Sequence, residues 1–600
     1  MKRQTKRRRN AFWAAALGTF AAFVFSTASA SAQVDAFDWK FDETGATLVG
    51  VKDKKITTAQ IPAQVDGKPV VAVGGKAFRN CYALESVEFP EGLTTIENDA
   101  FDRCFALKSV AFPASLETLG DGAFGHCQAL KTVEFPKNSA LTRMGAWAFE
   151  GCALETVALP DGLTTIGHSA FSWGRALKSV ELPAALTTLD ERAFWGCDSL
   201  EAVELPEGLT TIKRCAFSSC KALKTVALPA SLATLDEYAF ANCGSLKSFS
   251  VAAGSTTFRA VDGVLFSADG KTLVLYPLGR EGAEYRVPDG TQRIADKAFL
   301  ECKTLKTIDL PPSLTAIDAN AFSGCGALET VALSAATATV GVGAFSGCES
   351  LKSFSVASGS TAFRAVDGVL FSADGKTLVA YPSGREGSEY RVPNGTETIA
   401  ERAFVSCKTL KTLDLPASLK TVDEGAFALC SALESVAFSP EARGTTIGVS
   451  AFEGCRWMKT LDLPSGPTTF DRRAFFGCGM LRSLVFPAGG ATVGAEAFAG
   501  CDMLETLEFE AGPTAVGASA FEGCISLERV AFADGLTKLV YRSFGACDSL
   551  KTVELPASLT SFDETAFYDC SPNLRLVAPD GSFAAKFAEK NRMRGAAPKK

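Results

Sequence analysis

Apolar residues return along this chain on a fixed beat. From Ala77 onward the sequence keeps coming back to Ala-Phe, two variable residues and Cys, as in Ala77-Phe78…Cys81, Ala100-Phe101…Cys104 and Ala123-Phe124…Cys127. Counting Ser543-Phe544 as a variant there are 19 such units, most of their cysteines recurring at one constant step, as in Cys478, Cys501, Cys524, Cys547 and Cys570. Between units run Leu84-x-x-Val87-x-Phe89-Pro90, then Leu93-x-x-Ile96, then the next Ala-Phe. A period in the twenties predicts a repeat solenoid, in which one coil cannot bury its own apolar side and neighbouring coils complete the core. Domain-counting by length does not apply to such a chain.

One coil can be read residue by residue. Val87 and Phe89, two apart, face one side of a strand, so Ser86 and Glu88 face the other. Pro90 ends the strand by removing a backbone donor. Leu93, Ile96, Phe101 and Cys104 turn inward as the chain comes back around. Coils of this kind stack as parallel strands about 4.8 Å apart.

Two places break the period. The cysteine spacing jumps to 59 from Cys243 to Cys302 and again from Cys348 to Cys407. Both intervals contain Val-Asp-Gly-Val-Leu-Phe-Ser-Ala-Asp-Gly-Lys-Thr-Leu-Val, starting at Val261 and at Val366. Apolar runs around Asp-Gly predict β-hairpin inserts near 252–290 and 357–395. Near-identical flanks, beginning at Phe249 and at Phe354, mark a tandem copy of a larger block. Gly263 to Gly270-Lys271-Thr272 is not a phosphate loop, because six residues separate the glycines and a strand follows.

The ends differ from the middle, as solenoid ends must. Residues 1–32 hold a basic run ending at Arg9, an apolar stretch from Ala11 to Phe25 and a small-residue segment closing at Ala32. That is the layout of a secretory signal peptide, and it predicts export. Residues 33–75 form an N-terminal cap and irregular first coil, with a hairpin from Phe37–Phe41 and Ala46–Val51. The solenoid proper covers 76–570. Residues 571–600 form a C-terminal cap, in which Phe583 and Phe587 stand one helical turn apart, and a basic tail. No later stretch has 18 uninterrupted apolar residues, so the mature chain is expected to carry no integral membrane span.

Charge then removes one class of partner. The segment up to Ala32 holds six basic and no acidic side chains; with those set aside the 60 basic residues fall to 54 against 67 acidic, a net −13. An acidic body repels phosphate backbones, so nucleic acid is not expected as a partner.

The combination Ala-Phe-x-x-Cys-x-x-Leu-x-x-Val-x-Leu-Pro, the Val-Asp-Gly-Val-Leu-Phe-Ser insert, Ile61-Pro62…Asp66-Gly67-Lys68-Pro69-Val70 and Gly581-Ser582 resembles the BspA-like leucine-rich repeat family over residues 33–591. The resemblance implies a fold of leucine-rich repeats, with a period of about 23 residues, stacking a parallel β-sheet. It also implies a secreted or surface-displayed protein, some relatives of which act as adhesins for host proteins. It supplies no binding residue. No sorting motif or terminal membrane helix is recognisable after Asn591, which separates this chain from surface-anchored members.

Chemistry-bearing residues follow the repeat rather than clustering across it. Eighteen of the 19 cysteines share one inward position, and Gly174 stands where a nineteenth would. This predicts buried free thiols donating weakly to backbone carbonyls, not disulfides or a zinc site. Cys215 is the exception. It precedes Ala216-Phe217 in a slot filled elsewhere by Asp99, Arg192, Tyr238 and Lys297, which makes it the candidate exposed, reactive thiol. Only two histidines occur, His126 and His168, and neither has a fixed Ser or Asp partner in sequence. The acids after the strand valines, among them Glu88, Glu134 and Glu181, alternate with Ala111 and Ala158, which spaces like charges rather than pairing them for catalysis. No oxygen-ligand loop for calcium appears. No catalytic residue, metal site or cofactor is predicted.

Aromatic residues mark the candidate contact surface. Trp147, Trp173 and Trp195 fall in three consecutive coils at variable slots beside the Ala-Phe pair, and Tyr238 repeats the Trp147 slot four coils on. Phe149, Phe171 and Phe194 already fill the inward slots, so the tryptophans are expected to project outward as one contiguous patch, or else to cover gaps left by Gly145, Gly174 and Gly196. Exposed aromatic clusters mark binding sites. The sequence thus predicts an exported, non-enzymatic binding protein for an extracellular or host protein or a glycan, with a structural envelope or matrix protein as the alternative.

Overall fold

The computed structural model describes residues 33–590 except Gly512 and Thr514; the expected leader and the basic tail lie outside the described residues. Each coil contributes two short strands. The first coils give Ser86–Glu88 and Thr95–Ile96, then Ser109–Ala111 and Thr118–Leu119, then Thr132–Glu134 and Arg143–Met144. Equivalent strands pair in parallel and in register, Ile96 beside Leu119 and Val110 beside Val133. Burial in the first strand type alternates exposed, buried, exposed over Ser86, Val87 and Glu88, the period of two that puts the valines in the core. The chain is therefore a parallel β-solenoid of about 23 residues per turn.

A column of phenylalanines runs through the core. Phe78, Phe101 and Phe124 stack with centroids 4.7 and 4.8 Å apart and ring planes within 8°. The spacing widens to 5.7 Å between Phe124 and Phe149, where the coil is two residues longer. The corner that carries each Phe is fixed by a second ladder, in which the Phe78, Phe101 and Phe124 amides donate to the Ala100, Ala123 and Ala148 carbonyls at 2.7–2.8 Å. The residue before Ala-Phe and the one two after it lie in the left-handed region, as at Asp99 (φ +57°) and Arg103 (φ +61°). That geometry costs an ordinary L-residue about 1–2 kcal/mol, and here the inter-coil ladder enforces it in coil after coil.

All nineteen cysteines are free; seventeen are buried, and Cys215 and Cys570 are half-buried. The repeat thiols donate to a carbonyl of the preceding coil, Cys104 to Phe78 at 3.3 Å and Cys127 to Phe101 at 3.2 Å.

Each insert is a three-stranded antiparallel meander rather than a two-stranded hairpin. Phe258–Val261 pairs with Val264–Ser267, which pairs with Thr272–Leu275. The third strand then joins Arg293–Ile294 in parallel, and Tyr276 stacks on Phe299 at 4.7 Å. So the insert ends by building a coil with Tyr in the Phe position. The copy at Phe363–Val366, Val369–Ser372 and Thr377–Ala380 does the same, ending on Tyr381 over Phe404.

The ends close differently. Phe37–Phe41 pairs antiparallel with Ala46–Val51, which pairs in parallel with Lys68–Val73 and so starts the sheet. At the far end the helix Phe583–Lys590 buries Ala584, Ala585 and Ala588. Phe587 meets Phe562 at 4.1 Å, but Phe583 is exposed. No helix among the described residues is long and apolar enough to cross a membrane.

Candidate functional site

The aromatic residues singled out in the sequence share one edge of the solenoid, the Ala-Phe corner. Trp147 (φ +55°), Trp173 (φ +57°) and Tyr238 (φ +58°) all occupy its left-handed slots. Trp147 is 42% and Trp173 39% exposed. Trp195 differs from expectation. It is half-buried, because Trp173 of the preceding coil packs on it with centroids 4.5 Å apart. The same indole lies over Gly196, where a Cβ would stand 3.0 Å from the ring. Tyr238 is half-buried too, with the Lys297 ammonium 4.5 Å from its ring centre.

Two aromatic contacts stand out along the edge. Trp173 and Trp195 form the first, flanked by Arg175 and Arg192 at 5.1 and 5.5 Å from the respective rings. Trp147 instead meets His168 edge-on at 5.3 Å. Trp457, which the sequence did not single out, is 56% exposed on a distant coil.

Beside Trp147 the structure assembles a charged group that the sequence did not reveal. The Asp102 side chain is only 7% exposed. It accepts from Arg79 Nε at 3.1 Å and lies 3.3 Å from His126 Nδ1 and 3.8 Å from Arg103 Nε. Arg79, Asp102 and Glu150 occupy the position after Phe in their coils, and reading that column down the repeat is the signal that finds them. His126 is thus an exposed partner of a buried carboxylate.

Cys215 does not stand out in solvent. It is half-buried, and burial pushes its thiol pKa up, which disfavours the thiolate needed for reaction. Cys570, at the open end of the thiol column, goes the other way. A hydrogen bond from the Cys547 thiol holds Cys570 below the usual range, and its own Sγ reaches the Phe544 carbonyl at 2.9 Å. Cys570 is thus a second half-buried thiol beside Cys215.

Coil-to-coil ion pairs line the entry to the first strand of each coil. Lys108 meets Glu85 at 2.5 Å, Lys178 meets Glu155 at 3.0 Å and Lys224 meets Glu201 at 2.6 Å. The Lys178 and Lys224 hydrogen bonds hold Glu155 and Glu201 below the ordinary carboxylate range. Acids kept ionised by an adjacent lysine suit a solvated lattice and not proton transfer at neutral pH. Among the described residues no group of three His, Cys, Asp or Glu side chains is arranged to hold a metal ion.

A family model for the BspA type leucine rich repeat region matches the chain in six copies, across residues 52–174, 164–261, 283–366, 387–504 and 445–575. The chain belongs to this family. This BspA type repeat protein is also similar to solved structures. A leucine-rich repeat protein from Bacteroides ovatus is 23% identical over 73% of this chain and 94% of its own, with a TM-score of 0.40. One described as a leucine rich cell surface protein, from Faecalibacterium prausnitzii, is 22% identical over 94% of this chain and 97% of its own, at 0.30. A leucine-rich repeat protein from Eubacterium ventriosum is 20% identical over 69% and 94%, at 0.37. No curated protein matches the chain at a significant level. Leucine-rich repeat solenoids are binding scaffolds, their extended surfaces presenting side chains from many coils at once.

Proposed function

We propose that this is an exported, non-enzymatic leucine-rich repeat protein, secreted or held at the cell surface, that binds an extracellular or host protein through its Ala-Phe edge. The observation that carries this reading is the exposure of Trp147 and Trp173 in left-handed slots of one edge. Tryptophan and arginine are the residues enriched at the centres of protein interfaces, and Arg175 and Arg192 flank the Trp173–Trp195 pair. A glycan offers the same rings a stacking surface, and a purely structural envelope protein needs no exposed indoles.

The test is capture. The exported chain is immobilised and exposed to purified matrix and serum proteins and to a glycan array. Replacing Trp147, Trp173 and Trp195 together with Ala abolishes capture while circular dichroism stays unchanged. Undiminished capture by the folded triple variant moves the contact surface to the two inserts. Absence of any specific capture by the unaltered chain favours the structural role.

A further inference from the structure

One coil of the edge lacks the side chains its neighbours have. In the slot before Ala-Phe, consecutive coils carry Asp99, Gly122 and Trp147; in the slot after Phe they carry Asp102, Gly125 and Glu150. Both glycines line a cavity of about 390 Å³ shared with the flanking coils. A Cβ on Gly122 would stand 2.7 Å from Asp99 Oδ1, and one on Gly125 3.3 Å from Asp102 Oδ1, so the glycines let both acids lean over this coil.

Its charges are unevenly matched. The buried Asp102 engages Arg79, Arg103 and His126, and Arg79 also lies 3.5 Å from Asp99. Two further carboxylates line the cavity, and neither has a basic partner at ion-pair distance among the described residues. Asp121 Oδ1 accepts the Ala146 amide at 2.7 Å, and Glu150 Oε1 accepts the Ser172 hydroxyl at 3.1 Å. Trp147, 42% exposed, lines the same space. An indole beside carboxylates that lack a cation is the arrangement that recognises a guanidinium or ammonium group, through the ring quadrupole and charge-assisted hydrogen bonds.

We infer that this cavity is a recognition pocket for an arginine or lysine side chain of the protein partner, with Trp147 as its platform and Asp121 and Glu150 as its counter-charges. The inference rests on the reading of the edge as a protein-contact surface and adds the chemistry of what is contacted.

The experiment uses the exported chain and three labelled probes, hexa-arginine, hexaglutamine and hexaglutamate, followed by fluorescence polarisation. Physiological salt screens diffuse attraction to an acidic surface. Hexa-arginine binds and the other two do not. Gly125→Leu crowds the cavity and weakens binding at least tenfold; Gly125 is not in the left-handed region and Leu300 holds the same slot of another coil, and circular dichroism checks that the variant is folded. Trp147→Ala and the Asp121→Asn, Glu150→Gln pair weaken binding by a similar factor, and Trp457→Ala on its distant coil leaves it unchanged. Equal binding by folded Gly125→Leu, or a preference for hexaglutamate, overturns the inference. If no probe binds but a protein is still captured in a Trp173-dependent way, this pocket falls and the protein-binding reading stands. Loss of that capture as well removes both.

Discussion

Leu429 is an exposed leucine in a backbone conformation that leucine avoids, which makes it a clean test of the corner geometry. It sits at φ +61° in the slot two after Phe427 and is 57% exposed. The following coils put Gly454, Gly477, Gly500 and Gly523 in that slot, all at φ between +70° and +74°. A side chain there costs about 1–2 kcal/mol in the left-handed region. Glycine removes that cost but loses about 0.5–1 kcal/mol more backbone entropy on folding than alanine. The net expectation is that Leu429→Gly exceeds Leu429→Ala in local stability by about 1 kcal/mol, or roughly fivefold in protection. The order reverses at the neighbouring Ala428, where Ala428→Gly destabilises. Native-state hydrogen exchange is the appropriate assay, since a solenoid opens coil by coil and a global midpoint averages over many coils. The amide to follow is that of residue 429 itself, which donates to the Glu453 carbonyl at 2.7 Å. Protection in the Ala variant equal to or above that in the Gly variant would refute the claim that left-handed geometry, enforced by the inter-coil ladder, sets the stability of this corner.

Under native, non-reducing conditions near neutral pH, Cys570 is the first thiol alkylated, Cys215 follows slowly, and the seventeen buried thiols react only on unfolding; peptide mapping that finds all nineteen labelled at one slow rate contradicts this. Phe452, fully buried and stacked at 4.7 Å on both Phe427 and Phe475, is expected to cost about 3–5 kcal/mol as Phe452→Ala, read as lost exchange protection in its own and adjacent coils, and undisturbed protection there shows that the ring column does not hold the coils. The turn acids Asp269 and Asp374 are held below the usual range by the Ser267 and Ser372 hydroxyls and then by the Lys271 and Lys376 amides. Their contribution is complete above the ordinary Asp value of about 3.9 and is lost as pH falls through the lower folded value. Both inserts therefore lose amide protection on acidification below about pH 4, and an Asp269→Asn, Asp374→Asn variant flattens that dependence.

What the sequence shows plainly is everything that repeats. The inward positions of Val87, Ile96, Phe101 and Cys104 follow from a period that one coil cannot satisfy alone, and burial bears them out. What it hides is set by contacts between one coil and the next. Trp195 occupies a variable slot like Trp147, yet it is covered because Trp173 leans across Gly196. Cys570 reads like every other repeat cysteine, yet it ends the thiol column and lacks the next coil's cover. The Asp102 group was missed for a similar reason. Arg79, Asp102 and His126 come from three successive coils, and only the stacking register makes them neighbours.

The same register explains why a site can be built on this edge without disturbing the fold. The backbone of each corner is fixed by amide-to-carbonyl bonds between coils, such as Phe101 to Ala123 and Arg103 to Gly125, and these bonds do not involve the slot side chains. One slot accordingly accepts Asp99, Gly122, Trp147, Ser169, Arg192, Cys215 and Tyr238 in turn with φ held between +54° and +61°. Specificity then resides in the order of residues down a column, because neighbours in that column stand one coil apart. Moving Trp147 one coil, as Trp147→Ser with Ser169→Trp, preserves composition, core and ladder but separates the indole from Asp121. The folded double variant should therefore lose the cavity's cation recognition while its thermal stability stays close to that of the unaltered chain. If binding survives the move, the contact depends on aromatic content along the edge rather than on the juxtaposition of particular coils.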